Sequence, residues 1–404
     1  MDNTKLRIGI DCLSVNKHYK GGVNSYLFGL LDGIQKLKNK DVEIILFCSN
    51  KTSFLFKKYY GEFQLVILEK YNKYLKIIFF IIPYILNSSK LWYLSNNIFN
   101  YLINSKKEIE NKCDVLYTAT TNLNHYNLNI PTIVSMHDIQ HFHYPQNFTF
   151  SELIKRNLLF SNTAKYTSYF QASSNFIKKD ILNAYKNINE QQVQVIREGV
   201  DVNKFSKTMN KNILNKFNLP HKFIFLPAQL WKHKNHITVI KAIEKLNKEL
   251  EDICLVMTGA KYGGSNEIFE YIKKNNVRNI FYLGLVKTEE MVTLYQNAHV
   301  TICPAIYESS SLTLLESIAA GTNVIASDNP PNLEISENVK IEIFKKMNFI
   351  DLKLKIAKLW GQKKDEFEKV SLDNKKNIIN FSWERIAEKY IDFILKVHNT
   401  KNNK

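Results

Sequence analysis

The stretch "HVTICPAIYESSSLTLLESIAAGTNVIASD" (residues 299–328) decides the fold. It opens with an apolar run, "HVTICPA". A polar turn follows, then a helical pattern, "SLTLLESIAA", and a second apolar run, "TNVIASD". A strand, a helix and a strand in that order describe a crossover between parallel strands. The pattern recurs upstream. "FIFLPAQ", "ICLVMTGA" and "NIFYLGLV" alternate with "HITVIKAIEKLNKEL", "SNEIFEYIKKN" and "TEEMVTLYQNA". It recurs again in the first half, where "LRIGIDCL", "VEIILFCS", "FQLVILE", "DVLYTAT", "TIVSMHD", "SYFQASS" and "QVQVIRE" read as strands. "VNSYLFGLLDGIQKLK" and "NFIKKDILNAYK" read as helices between them. The class is α/β with parallel sheets covered on both faces.

A chain of 404 residues is too long for one ordinary core. We expect two Rossmann-like, doubly wound domains, over residues 1–200 and 201–380, with a cleft between them. The turn and polar sequence at residues 199–207 mark the boundary. Residues 381–404 hold a last helix, "FSWERIAEKYIDFIL", and a polar tail expected to fray. Ile386, Tyr390, Phe393 and Ile394 recur at helical spacing, so this helix is expected to pack back on the first domain.

Hydrophobic content of 45% and charged content of 23% are those of a folded, soluble protein. The net charge of +17 favours an anionic partner: a phosphorylated small molecule, a nucleic acid or an acidic membrane. No nucleic-acid motif accompanies it. The five scattered cysteines form no CxxC and fit a reducing compartment. The N-terminal "MDNTKLRIGIDCLSV" reads as a first strand rather than a signal peptide. One run, "IIFFIIPYIL" (residues 77–86), is too short to span a bilayer. It is either a buried helix or strand, or a membrane-touching segment flanked by lysines and aromatics.

In open α/β sheets ligands bind beyond the carboxyl ends of strands. Four polar clusters fall there. In "KGGVNSY", Gly21 and Gly22 would let backbone approach an anion at a helix start, or would simply form a turn. In "SMHDIQHFHYP", His137 and Asp138 end a strand and face the cleft. His137 reads as a substrate hydrogen-bonder in preference to a metal site built with Asp138, His141 and His143. In "LWKHKNH", Lys232 and Lys234 follow a strand and can neutralise phosphate, the plain alternative being a solvated basic loop. In "YESSSLTLLES" (residues 307–317), Glu308 stands at a strand end and Ser309–Ser311 make the turn. Ser310 or Ser311 is expected to cap the helix, leaving N–H groups near Leu312–Leu314 for a diphosphate. Glu316, one turn inside, should face neutral hydroxyls. Two carboxylates with phosphates between them outline a nucleotide sugar. Neither a G-x-G-x-x-G fingerprint nor a Walker A motif is present.

Taken in order, these motifs resemble the retaining GT-B glycosyltransferases of family 4, the large bacterial glycan and lipopolysaccharide group. The resemblance covers nearly the whole chain: "GGV…Y", the "HD" after a strand, "EGVD", "HKNH", "VMTGA", "FYLGLV", the Glu-x7-Glu, "AAGTNVIASD" and "FSWE". It implies that Glu308 binds donor-sugar hydroxyls and Glu316 the ribose. It implies that Lys234 neutralises the diphosphate with N–H groups near Thr313 and Leu314. His137 would lie near the transferred sugar, and Leu285 and Val286 near the base. Gly21 and Gly22 would approach phosphate or acceptor, and Asp138 and His141 fall on the acceptor side. The chain departs from the family at three places. "AQ", with Gln229, stands where an arginine is common, although Lys232 could substitute. Ser309 and Ser311 replace glycines. Glu198 replaces the asparagine of "NGVD".

The function this implies is retaining transfer of a sugar from a UDP- or GDP-linked donor to a glycan or lipid-linked hydroxyl, without a metal or other cofactor. The setting would be bacterial surface polysaccharide or lipopolysaccharide synthesis, in the cytoplasm, with peripheral contact to an anionic membrane and no nucleic-acid partner. The rivals are a glycoside hydrolase using Glu308 and Glu316, a sugar-nucleotide epimerase, and a non-catalytic binding protein of a glycan assembly complex.

Overall fold

The computed structural model describes residues 5–15, 22–68, 73–207 and 212–402. The candidate glycine Gly21 lies outside the described residues. The chain forms two compact units. One is Met1–Glu198 together with Trp383–Lys404, and the other is Gly199–Ser382.

The first unit holds seven strands: β1 (Leu6–Asp11), β2 (Val42–Cys48), β3 (Gln64–Ile67), β4 (Val115–Thr118), β5 (Thr132–Ser135), β6 (Tyr169–Ala172) and β7 (Val193–Val195). All neighbours pair in parallel, in the order β3-β2-β1-β4-β5-β6-β7. Leu6 stands beside Val42, and Ile8 beside both Ile44 and Val115. β4 and β5, covered on both faces, are buried at every position, Thr118, Thr132 and Ser135 included.

Helix α1 (Gly22–Leu37) follows β1 and turns Tyr26, Leu27, Leu30, Leu31 and Ile34 into the core. The C-terminal helix Trp383–Asn402 lies directly against it. Two glycines make this approach possible. A Cβ on Gly29 would fall 2.1 Å from the Trp383 ring, and one on Gly33 would fall 2.3 Å from the Trp383 carbonyl oxygen. Ile386, Tyr390, Phe393 and Ile394 enter the same core, as the helical spacing requires. The expected frayed tail is corrected: the helix runs on to Asn402, because Val397 is also buried.

Between β3 and β4 lie α2 (Lys73–Ile85) and α3 (Ser89–Leu102). Pro83 sits inside α2. Of the two readings of residues 77–86, the buried one holds only for part of a helix: Phe80 and Pro83 are buried and Phe79 and Tyr84 half-buried, with Phe80 against Trp92 at 4.4 Å and Phe79 against Phe99 at 5.7 Å between ring centroids.

The second unit holds β8 (Ile224–Pro227), β9 (Leu255–Thr258), β10 (Ile280–Tyr282), β11 (Val300–Cys303), β12 (Asn323–Ser327) and β13 (Glu342–Phe344). They pair in parallel in the order β10-β9-β8-β11-β12-β13. In each sheet the chain order reverses once, between β1 and β4 and between β8 and β11. These reversals open a crevice beyond the carboxyl ends, where the connections leave in opposite directions.

Candidate functional site

In the second unit the crevice between β8 and β11 receives the two loops singled out in the sequence. The loop after β8 is held from both sides. The Leu230 N–H donates to the Ala260 carbonyl at 3.0 Å, and the Gly264 N–H donates to the Leu230 carbonyl at 3.0 Å. Trp231 stacks on Tyr262, with 4.0 Å between ring centroids. A Cβ on Gly259 would meet the Ala228 carbonyl at 2.4 Å, and its φ of +129° is one that only glycine adopts readily. Gln229 accepts a hydrogen bond from the Trp231 indole at 3.1 Å, so its side chain serves the loop.

A short turn over Lys232–Lys234 follows, ended by Asn235 with φ of +57°. The Asn235 side chain donates to the Pro304 carbonyl at 3.0 Å and accepts from the Thr238 hydroxyl at 2.7 Å. The Ile306 N–H donates to the His233 carbonyl at 2.8 Å. These bonds lash the loop after β8 to the loop after β11. Lys234 Nζ then lies 2.5 Å from Glu308 Oε1, both side chains only partly exposed. Lys232, on the same turn, is exposed.

Helix Leu312–Ala320 starts just beyond. The expected serine cap is corrected. Ser311 occupies the cap position, but its hydroxyl turns away to donate to the Asn332 side-chain oxygen. The Leu314 and Leu315 N–H groups both donate to the Ser311 carbonyl, at 3.0 and 3.1 Å, so Leu314 does not offer a free donor. The N–H groups of Leu312 and Thr313 have no acceptor among the described residues. None of Ser309, Ser310 and Ser311 takes a positive φ. The serines therefore make this turn without the strain that a glycine-like conformation would impose.

Glu316 is partly buried one turn inside. Its Oε2 accepts from the Tyr295 hydroxyl at 2.8 Å. Burial pushes its carboxyl above the usual range, against the opposing pull of that hydrogen bond and of Lys204. The two glutamates thus differ in kind: Glu308 meets a cation, and Glu316 meets a phenol. On the loop after β10, Leu285 is exposed and Val286 packs against the core beneath.

In the first unit, His137 follows β5. It is buried, edge-on to Tyr26 at 4.8 Å between centroids. Its Nε2–H donates to the Ala119 carbonyl at 2.8 Å, and its Nδ1 lies 3.7 Å from Glu198 Oε1. Burial opposes the imidazolium, but Glu198, the Ala119 carbonyl and Asp138 together outweigh it and the pKa is raised above the ordinary 6.5. Beneath it, the Tyr26 hydroxyl meets Tyr117 at 2.5 Å, Ser135 at 3.0 Å and Tyr390 of the C-terminal helix. Glu198, which the sequence offers only as a departure from a motif, is brought against His137 here. Asp11, at the carboxyl end of β1, was not noticed at all. It is buried, accepts from the Leu13 N–H at 2.9 Å and from the Asn124 amide at 3.0 Å, and so pins that strand end.

The other first-unit candidates do not gather around His137. Asp138 accepts from Arg156 at 3.1 Å and from the Gln140 N–H at 3.1 Å. His141 is buried against Phe142 and Phe160, and burial, with Arg156 nearby, lowers its pKa to about 4. His143 meets Asp180 at 2.7 Å. An acceptor-binding role for His141 is therefore corrected, since its ring is packed away from solvent. No group of three or more candidate metal ligands occurs among the described residues. Gly22 begins α1 with open space where a Cβ would stand.

Comparison with known proteins bears on the second unit first. Residues 209–366 match the family Glycosyl transferases group 1. The chain is 25% identical over 207 residues to the O-antigen chain mannosyltransferase RfbU of Salmonella typhimurium, covering 51% of this chain and 54% of that protein. It is 29% identical over 163 residues to the alpha-monoglucosyldiacylglycerol synthase of Streptococcus pneumoniae, covering 38% and 36%. The chain spans about half the length of the curated relatives it matches, or less. Among solved structures, Anabaena Alr3699/HepE in complex with UDP and glucose aligns with a TM-score of 0.69 at 14% identity, over 96% of this chain and 99% of that one. The chain has the fold of the GT-B glycosyltransferases.

Proposed function

With a group 1 glycosyltransferase domain in its second unit as the premise, we propose that the protein transfers a sugar from a nucleoside-diphosphate donor to a hydroxyl acceptor. The observation that carries this reading is the Lys234–Glu308 pair at 2.5 Å, braced at the sheet reversal beside the start of helix Leu312–Ala320. A glycosyl donor leaves as a diphosphate, and its developing charge needs preorganised cations and N–H dipoles. Lys234 supplies the cation, with Lys232 exposed on the same turn. The unpartnered Leu312 and Thr313 N–H groups supply the dipoles. Glu308, once a diphosphate draws Lys234 away, is left to accept hydrogen bonds from sugar hydroxyls. Glu316, with Tyr295 behind it, grips the ribose. Leu285 and Val286 offer an apolar rest for the base. We assign His137 to the neighbourhood of the transferred sugar, with its ring fixed by the Ala119 carbonyl and Glu198. We assign Asp138 to the orientation of this strand end through Arg156.

Retention of anomeric configuration is part of the proposal, with the leaving phosphate assisting deprotonation of the acceptor. The acceptor class is a glycan or lipid-linked hydroxyl. Support for it comes from RfbU and the diacylglycerol synthase, whose names give an O-antigen chain and a glycolipid.

The test is nucleotide release by purified protein across UDP- and GDP-sugars, followed by NMR of the product's anomeric configuration. Donor-dependent release that Glu308→Gln and Lys234→Ala abolish supports the reading. Release of free sugar from a glycoside without a nucleotide donor would replace it with hydrolysis.

A further inference from the structure

Helix α3 carries a row of polar side chains on one face. Asn97, Asn100 and Tyr101 stand at i, i+3 and i+4, and Asn104, just past the helix end, continues the row. Asn104 takes a φ of +55°, a conformation that asparagine tolerates better than most residues. Together with Lys106, Lys107 and Glu110 of helix Ser105–Lys112, and Tyr126 and Asn127 of the loop after β4, the row lines an open cavity of about 420 Å³. That volume is within the ~300–1,000 Å³ of small-molecule sites. None of these residues has a part in the proposed transfer.

The lining divides into a fixed part and a free part. Asn100 donates to the Asn96 side-chain oxygen at 2.8 Å and to the Asn124 carbonyl at 3.0 Å. Asn127 donates to the Tyr93 hydroxyl, and Tyr93 stacks on Tyr126 at 6.1 Å between ring centroids. Lys106 donates to the Asn127 carbonyl and lies 3.8 Å from Glu110, which accepts from the Asn129 N–H at 2.6 Å. These bonds set the shape. The side chains of Asn97, Tyr101, Asn104 and Lys107 have no hydrogen-bond or ionic partner among the described residues.

The free groups say what fits. A carboxamide both donates and accepts, which is what a hydroxyl needs from a partner. The Tyr101 ring is 82% exposed and offers a flat apolar face. A sugar has both surfaces, a rim of hydroxyls and a face of C–H groups. A phosphate is a poorer match. Lys106 is already engaged, Lys107 alone remains, and the Glu110 carboxylate on the same wall repels a dianion. A single carboxylate carried on a sugar suits the one ammonium left.

We propose that this cavity binds a saccharide, with Asn97 and Asn104 on its hydroxyls, Tyr101 against its ring face and Lys107 on a carboxylate, so that a uronic acid is preferred to a neutral sugar. The site stands apart from the transfer reaction, and its failure leaves the reading of Lys234 and Glu308 untouched.

The experiment is saturation-transfer NMR of the full chain with glucuronate, methyl glucoside and inorganic phosphate. Transfer to both sugars is expected, with glucuronate held more tightly and not displaced by equimolar phosphate. Tyr101→Ala and Asn97→Ala should each weaken glucuronate binding about tenfold. Tyr101→Phe, which keeps the ring, should not. Lys107→Ala should bring glucuronate down to the level of methyl glucoside. Glu308→Gln should leave sugar binding here unchanged, and Tyr101→Ala should leave nucleotide release unchanged. No transfer to either sugar overturns the proposal. So does displacement of glucuronate by phosphate, binding that survives both alanines, or binding that Glu308→Gln abolishes.

Discussion

Each unit pairs one basic side chain with one carboxylate at the carboxyl end of its sheet, and the two pairs are built differently. In the second unit Lys234 and Glu308 stand 2.5 Å apart with 24% and 21% of their side chains exposed. In the first, His137 and Glu198 stand 3.7 Å apart with 10% and 8% exposed. A pair about a quarter exposed is partly screened by water and gives up its partner to a ligand more readily than a closed one. A closed pair cannot be traded, because either charge left alone would stay buried. The open pair is suited to exchange Glu308 for phosphate, and the closed pair to hold the His137 ring in one place.

The largest effect should come from the open pair. Lys234→Ala should cut donor-dependent turnover by about 10²–10³-fold, measured as nucleotide release. If it costs no more than removing an exposed surface lysine, the exchange idea fails. Next, Glu316→Ala should weaken donor-nucleotide binding about ten- to a hundredfold, read by calorimetry, while Tyr295→Phe should cost less because the carboxylate remains. Equal losses in both would mean that Glu316 acts only as a partner for Tyr295.

A third prediction compares the units through their buried neutral histidines. His141 in the first and His236 in the second are both held at about 4 by burial. A folded pKa below the unfolded value of ~6.5 gives stability that is complete above 6.5 and lost as pH falls toward 4. Each should cost about 1.4 kcal/mol per pH unit across that window. Denaturation curves from pH 7 to 4 should therefore steepen in acid sensitivity for both units, and His141→Phe should flatten the response of the first alone. His137 has the opposite sign. Its raised pKa gives stability that is complete below 6.5 and fades as pH rises through the folded value. The smallest change is then Glu198→Gln. With the carboxylate gone, burial governs, and NMR should find the His137 midpoint below 6.5. A midpoint that stays above 6.5 would mean Glu198 is not what charges the ring.

The strands were legible because parallel strands buried on both faces leave continuous apolar runs, as in "VTIC" and "NVIAS". β13 was not read: it is three residues long and begins with Glu342, which reaches outward to Lys355 and Lys358. Among the candidate residues, a place beside a strand end could be read from position alone, as for Lys234 and Glu308. Pairings across the sheet could not. Glu198 lies 61 residues beyond His137 in sequence, and they meet only because β5, β6 and β7 align side by side. Ser311 looked like a cap because the sequence does not reveal that Asn332 would claim its hydroxyl.

The glycine-to-tryptophan contact between α1 and the last helix has a consequence for how the molecule is made. The first unit lacks Trp383, Ile386, Tyr390 and Ile394 until the whole second unit has been synthesised. The second unit is contiguous from Gly199 to Ser382 and needs nothing later. Synthesis usually lets the leading domain mature first. Here the leading domain waits, and its partner, translated afterwards, can finish before it. A stop codon at position 383 should leave a protease-resistant second unit attached to a first unit that is still being digested.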